Sequence, residues 1–141
     1  MRATSFREVR ALLEGLGDAP ALAGPWSYSE VLQHCAQSIE CSMQGYPKLR
    51  SGLFRATIGR IAKRKFLKQG HMSHDLAAAI PGAPALDPAL PLEAARERLL
   101  TAMGRFEALA AEPKEHLAYG PCTKAEYERL HAMHVANHLG T

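Results

Sequence analysis

Thr123-Lys124-Ala125-Glu126-Tyr127-Glu128-Arg129-Leu130-His131-Ala132-Met133-His134-Val135-Ala136-Asn137-His138-Leu139 is the stretch from which the rest of the chain can be read. Thr123 with Glu126 three residues later forms a capping box, a reciprocal pair that satisfies two orphan N–H groups at a helix start. No glycine or proline follows before Leu139, so a helix over about Lys124–Leu139 is expected. At about 100° per residue, His131, His134 and His138 fall within an arc of roughly 60°. A helix that gathers three imidazoles on one face points to an all-helical scaffold and to a candidate divalent-metal site.

The flanking segments repeat the helical period. Phe6, Val9, Leu12, Leu13 and Leu16 recur at helical spacing within Ser5–Leu16, and Gly17 ends the run. Ser27 and Glu30 form a second capping box, preceded by Pro25-Trp26 as a hydrophobic staple. Val31, Leu32, Cys35, Ile39 and Met43 continue that helix until Gly45-Tyr46-Pro47. A third helix is expected over about Gly52–Lys68, closed by Gly70, and another over about Leu92–Ala111, ended by Pro113. Between them, His71–Pro91 reads as a long loop, because Pro81, Pro84, Pro88 and Pro91 forbid continuous helix. No segment alternates like a strand. The expected fold class is all-α: an up-and-down four-helix bundle with a short N-terminal helix, one domain over residues 1–141.

Composition agrees with that scaffold. With 141 residues and 47% apolar side chains, the chain is of single-domain size and not of disordered type. Aromatic residues make up only 6%, while Ala and Leu are abundant and β-branched residues scarce, which favours helix over sheet. There is no apolar run of 18 residues, so no membrane partner is expected, and Met1–Glu8 lacks the apolar core of a signal peptide. Cys35, Cys41 and Cys122 are odd in number and form no CxxC pair, which fits reduced thiols and a cytoplasmic location.

The net charge of +3 conceals an asymmetry. Lys48, Arg50, Arg55, Arg60, Lys63, Arg64, Lys65 and Lys68 lie between Tyr46 and Gly70 with no acidic residue among them. Such a field attracts an anionic partner, here a small-molecule substrate. The charges are spread around the helix, and only Phe54 and Phe66 could stack on bases, so a solvated charged face is preferred over nucleic-acid binding.

His134 and His138 are at i and i+4, where their side chains share one helix face and can share one ion. Alone, such a pair is equally consistent with chance or with charge complementarity at a helix C-terminus. Val135 stands where a zincin-type protease has its glutamate, which excludes that class. A catalytic ion needs a third ligand from another helix. His34 is the best donor, because Val31 and Ile39 place its face toward the interior. Ser73-His74-Asp75 has triad residue types, but consecutive side chains do not form a relay. His71 and His74 could reach the mouth of the site or be ordinary surface histidines. Cys41, seven residues after His34, reads as a buried apolar thiol. Glu40 and Gln37 could orient a ligand histidine, although for Glu40 a solvated surface is the preferred reading.

Pro25-Trp26-Ser27-Tyr28-Ser29-Glu30-Val31-Leu32-Gln33-His34-Cys35-Ala36-Gln37-Ser38 resembles the second helix of the DinB-like superfamily, in which a Trp-initiated helix carries the first metal histidine. Leu130–Leu139 resembles that superfamily's final helix, which supplies an HxxxH pair. Gly70-His71-Met72-Ser73-His74-Asp75-Leu76, with Ile80–Leu86, resembles an uncharacterised branch of it. The resemblance implies a bacterial metal-binding four-helix bundle with His34, His134 and His138 as ligands. It leaves His131 beside the site or toward the substrate, where the residue reading also puts His74 and Gln37. Three imidazoles suit Zn²⁺, Ni²⁺ or Fe²⁺ and leave a position open for water or substrate. The superfamily includes thiol-dependent transferases and metal-dependent hydrolases, so both reactions, and a low-molecular-weight thiol as cosubstrate, are implied. No catalytic general base can be named. The alternative is a helical ligand-binding or interaction module without chemistry. Homodimerisation through an exposed apolar face is a further expectation for a bundle of this size.

Overall fold

A computed structural model describes residues 1–140. Every regular element among them is helical: α1 (Phe6–Leu16), α2 (Tyr28–Gln44), α3 (Gly52–Ala56), α4 (Ile58–Gln69), α5 (Leu92–Glu107) and α6 (Lys124–Leu139). None of these helices is long and apolar enough to cross a membrane.

The helix starts follow local chemistry. Ser5, Ser27, Ser51 and Thr123 each accept a hydrogen bond from the backbone N–H three residues on. At Ser27 and Thr123 the box is complete: Glu30 accepts from Ser27 N at 2.8 Å and Glu126 from Thr123 N at 2.9 Å.

Two expectations are corrected. The helix expected over Gly52–Lys68 is broken at Thr57, whose backbone turns to φ −118°, ψ −91°. There the Thr57 hydroxyl donates to Leu53 O at 2.6 Å, a local bond that competes with helix continuation. Just beyond, α4 presses on the turn at Ala118 so closely that a Cβ on Gly59 would lie 1.6 Å from Ala118 O. The second correction is the end of α5, at Glu107 rather than near Ala111. Lys124 donates to the carbonyls of Glu107 and Leu109, at 2.7 and 2.9 Å, and so satisfies acceptors that the end of the helix leaves open.

α2 runs through the middle. Every residue from Val31 to Ile39 is buried, because α5 packs along one side, α6 along another, and the Pro-rich segment covers the rest. That segment is tied down by three polar residues of α2 at intervals of four. Ser29 Oγ donates to Leu90 O at 2.8 Å, Gln33 Nε2 to Asp87 O at 2.8 Å, and Gln37 Nε2 to Pro84 O at 2.9 Å. Asp87 N returns a bond to Gln33 Oε1 at 2.9 Å. Buried amides thus replace the backbone partners that a proline-rich loop lacks.

α1 lies on α6, with Phe6 N donating to Glu128 at 3.1 Å. Phe6, Leu32, Ile39, Leu99, Met103, Phe106, Tyr127 and Met133 form the central core. α3 and α4 ride on the outside and leave Leu53, Ile58 and Ile61 more than 60% exposed.

Candidate metal centre

The contact of α2 with α6 brings together residues 100 positions apart. His34 Nε2 and His134 Nε2 face each other at 3.2 Å. His138, one turn beyond His134, completes a set of three in which the available ring nitrogens all lie within 4.8 Å of one another. Two nitrogens bound to one tetrahedral ion at about 2.0–2.1 Å stand about 3.3–3.4 Å apart, so the facing pair already has the span of two ligands. The three histidines could hold a divalent ion. Among the described residues, no cysteine or carboxylate belongs to the cluster.

Burial prepares these rings as ligands. Loss of water, followed by the nearness of His74, pushes the His34 imidazole down to about 4. Burial, then His34 and His74, pushes His138 to about 3. His134 is held well below its ordinary value, by burial first and by the neighbouring histidines second. All three are therefore neutral at physiological pH, the protonation state that binds metal. Trp26 packs on two of them from the N-terminal side of α2. Its ring centroid is 4.8 Å from that of His34, and it stacks on His138 at 5.8 Å and 15°. Trp26 thus covers the site in addition to entering the helix.

His131 has a different environment. It is 3% exposed, 2.9 Å from Ser42 Oγ, and stacked on Tyr127 at 5.1 Å. Ser42 donates to Ile39 O at 2.6 Å, so its oxygen is left to accept from His131 Nε2–H. Gln37 holds the loop at Pro84 and makes no bond to a ligand histidine. Glu40 pairs with Arg98 at 2.6 Å on the helix surface. Cys41 is buried with Tyr46 and Ile80 in a small separate cluster. His71 lines a different surface pocket, together with Ala136 and Asn137. His74, in contrast, reaches inward from its loop: its Nε2 is 3.0 Å from His138 Nε2.

A cavity of about 270 Å³ opens beside His34, His74 and His134. Met72, Ile80, Leu117 and Leu130 give it apolar walls, and His131 lines its inner side. Arg50 is the one charged side chain on its lining among the described residues. Its guanidinium stands 3.8 Å above the Phe54 ring and pairs with no carboxylate among the described residues. Arg55 and Lys63, by comparison, are paired with Glu115 and Glu126.

Sequence reasoning missed two lining residues. Arg50 was one of eight basic residues with nothing to single it out. His116 carries no motif: its Nδ1 accepts from Ala118 N and Tyr119 N at 3.0 and 3.1 Å, and its ring stacks on Tyr119 at 4.1 Å.

The family model described as a protein of unknown function, DUF1569, matches residues 2–141. No curated protein and no solved structure matches the chain.

Proposed function

The chain belongs to the DUF1569 family, whose function is unknown, and we propose that it is a divalent-metal-dependent enzyme of the thiol-transferase or hydrolase type. His34, His134 and His138 are its metal ligands, on a scaffold of the DinB-like four-helix kind. The observation that carries this reading is the meeting of three neutral imidazoles, two buried and one partly buried, from two helices within 4.8 Å. The likeness of Pro25–Ser38 and Leu130–Leu139 to the metal-binding helices of the DinB-like superfamily supports it.

A bound divalent ion would lower the pKa of a bound water or stabilise a thiolate. The chain's own residues supply the rest. Trp26 excludes water from one side of the ligands and holds two rings in place. The apolar walls of the cavity accept the body of a small substrate, and Arg50 at its rim pairs with an anionic end such as a carboxylate.

Metal analysis of protein purified without a histidine tag tests the reading. Zinc, nickel or iron is expected in stoichiometric amount, and His134→Ala should remove it. Metal-free protein that takes up none of the three ions overturns the proposal. The second reading, a ligand-binding module without chemistry, draws on the same apolar cavity and its lone arginine. It predicts that an anionic ligand raises the melting temperature equally with and without a chelator.

A further inference from the structure

Two edges of the histidine cluster have the span of a shared ion. His34 Nε2 to His134 Nε2 is 3.2 Å, and His74 Nε2 to His138 Nε2 is 3.0 Å. Ligand nitrogens of one tetrahedral ion stand about 3.3–3.4 Å apart on every edge. The His74 ring also lies 4.7 Å, centroid to centroid, from both His134 and His138.

The far side of the His74 ring points the same way. His74 Nδ1 and Asn137 Oδ1 are both buried without a hydrogen-bond partner among the described residues, and Asn137 stands within interacting range of His74. One is a donor and the other an acceptor only if His74 carries its proton on Nδ1. That tautomer leaves Nε2 as a lone pair aimed into the cluster, the arrangement metal-bound histidines generally have.

The loop holds His74 between two anchors. Met72 is buried in the main core and Ile80 in the small second cluster. Between them Ser73, Asp75, Ala77, Ala78 and Ala79 are exposed. The ties from Ser29, Gln33 and Gln37 act only further on, between Pro84 and Leu90. The other three histidines are fixed on helices, so His74 is the one with the smallest cost of leaving.

We propose that His74 Nε2 is a fourth, displaceable ligand of the ion held by His34, His134 and His138. The resting centre is then closed by four imidazoles. An anionic ligand arriving through the cavity, which His74 itself lines, binds by replacing it. This inference rests on the metal-site reading above and changes one part of it: the open position appears on demand instead of standing open.

The test uses the full chain loaded with cobalt(II) or zinc(II), with azide as the probe anion. X-ray absorption of the zinc-loaded wild-type protein should count four imidazoles; a count of three plus oxygen overturns the proposal. His74→Ala and His74→Gln should bind cobalt at least about tenfold more weakly, since even loss of a supporting partner costs 10- to 100-fold. Their visible cobalt bands should shift. If the displaced form is about a tenth of the wild-type population, azide should saturate either variant at about tenfold lower concentration. Unchanged affinity, spectrum and azide response in a folded variant refute the role of His74 while leaving the three-histidine site standing. Failure of the wild-type chain to bind cobalt, zinc, nickel or iron overturns both readings.

Discussion

His131 and His138 lie seven residues apart on one face of α6, yet the two ends of that face are different environments. Around His131, Phe6, Phe106 and Tyr127 enclose the ring, and Ser42 accepts its N–H. Around His138 the neighbours are His34, His74 and His134, with Trp26 stacked above. The helix presents the same side chain twice. What the opposite elements offer decides the outcome: a hydroxyl from α2 makes one histidine a piece of the core, and imidazoles from α2 and the loop make the other a candidate ligand.

The comparison breaks most visibly at the ligand end. His134→Ala should abolish stoichiometric metal binding, read by elemental analysis, with the helical content by circular dichroism retained. His131→Ala should do the reverse, leaving metal stoichiometry intact and lowering stability by about 2–3 kcal/mol through the lost buried ring and its bond to Ser42. Chemical denaturation in the presence and absence of chelator checks both arms. Metal loss from His131→Ala at wild-type stability would erase the distinction.

Acid should sharpen the same contrast. Burial holds His131 down to about 3, whereas in the unfolded chain it titrates near its ordinary 6.5. Below about 6.5 the unfolded state therefore binds a proton that the folded state refuses, and stability falls as pH drops toward about 3. The slope reaches about 1.4 kcal/mol per pH unit for each such histidine. Urea titrations of metal-free protein should show the loss between about pH 7 and pH 5, and His131→Leu should reduce the slope. A flat profile would place the imidazole in contact with water.

Smaller effects belong to the elements that hold the site from outside. Gln37→Ala removes a buried amide's bond to Pro84 O and should cost about 1 kcal/mol, with faster hydrogen exchange confined to the loop. Glu40→Ala breaks a partly exposed pair with Arg98 and should change stability by less than about 1 kcal/mol. A larger loss of metal from Gln37→Ala than from Glu40→Ala would tie the loop to the site.

Legibility followed the range of the interaction. Ser27-x-x-Glu30 and Thr123-x-x-Glu126 placed the starts of α2 and α6, because capping joins residues three apart. The break at Thr57 was hidden, since the close approach of Gly59 to Ala118 depends on a segment 59 residues away. The end of α5 was hidden for the same reason: Lys124 comes to it from the next helix. Ser29, Gln33 and Gln37 carry no local signal of their role, because they act as an anchor only where a proline-rich segment distant in sequence lies across them.

From the residues alone one learns that the chain is helical, where its helices begin, and that His134 and His138 share a face, because each of these rests on backbone geometry repeating every few residues. Tertiary structure decides the rest. It sets His34 against His134, draws His131 into an aromatic core, swings His74 inward from its loop, and leaves Arg50 as the one charge on the cavity among the described residues. Those relations join side chains from separate elements, and the packing of α2 against α6 under the loop is what brings them within reach.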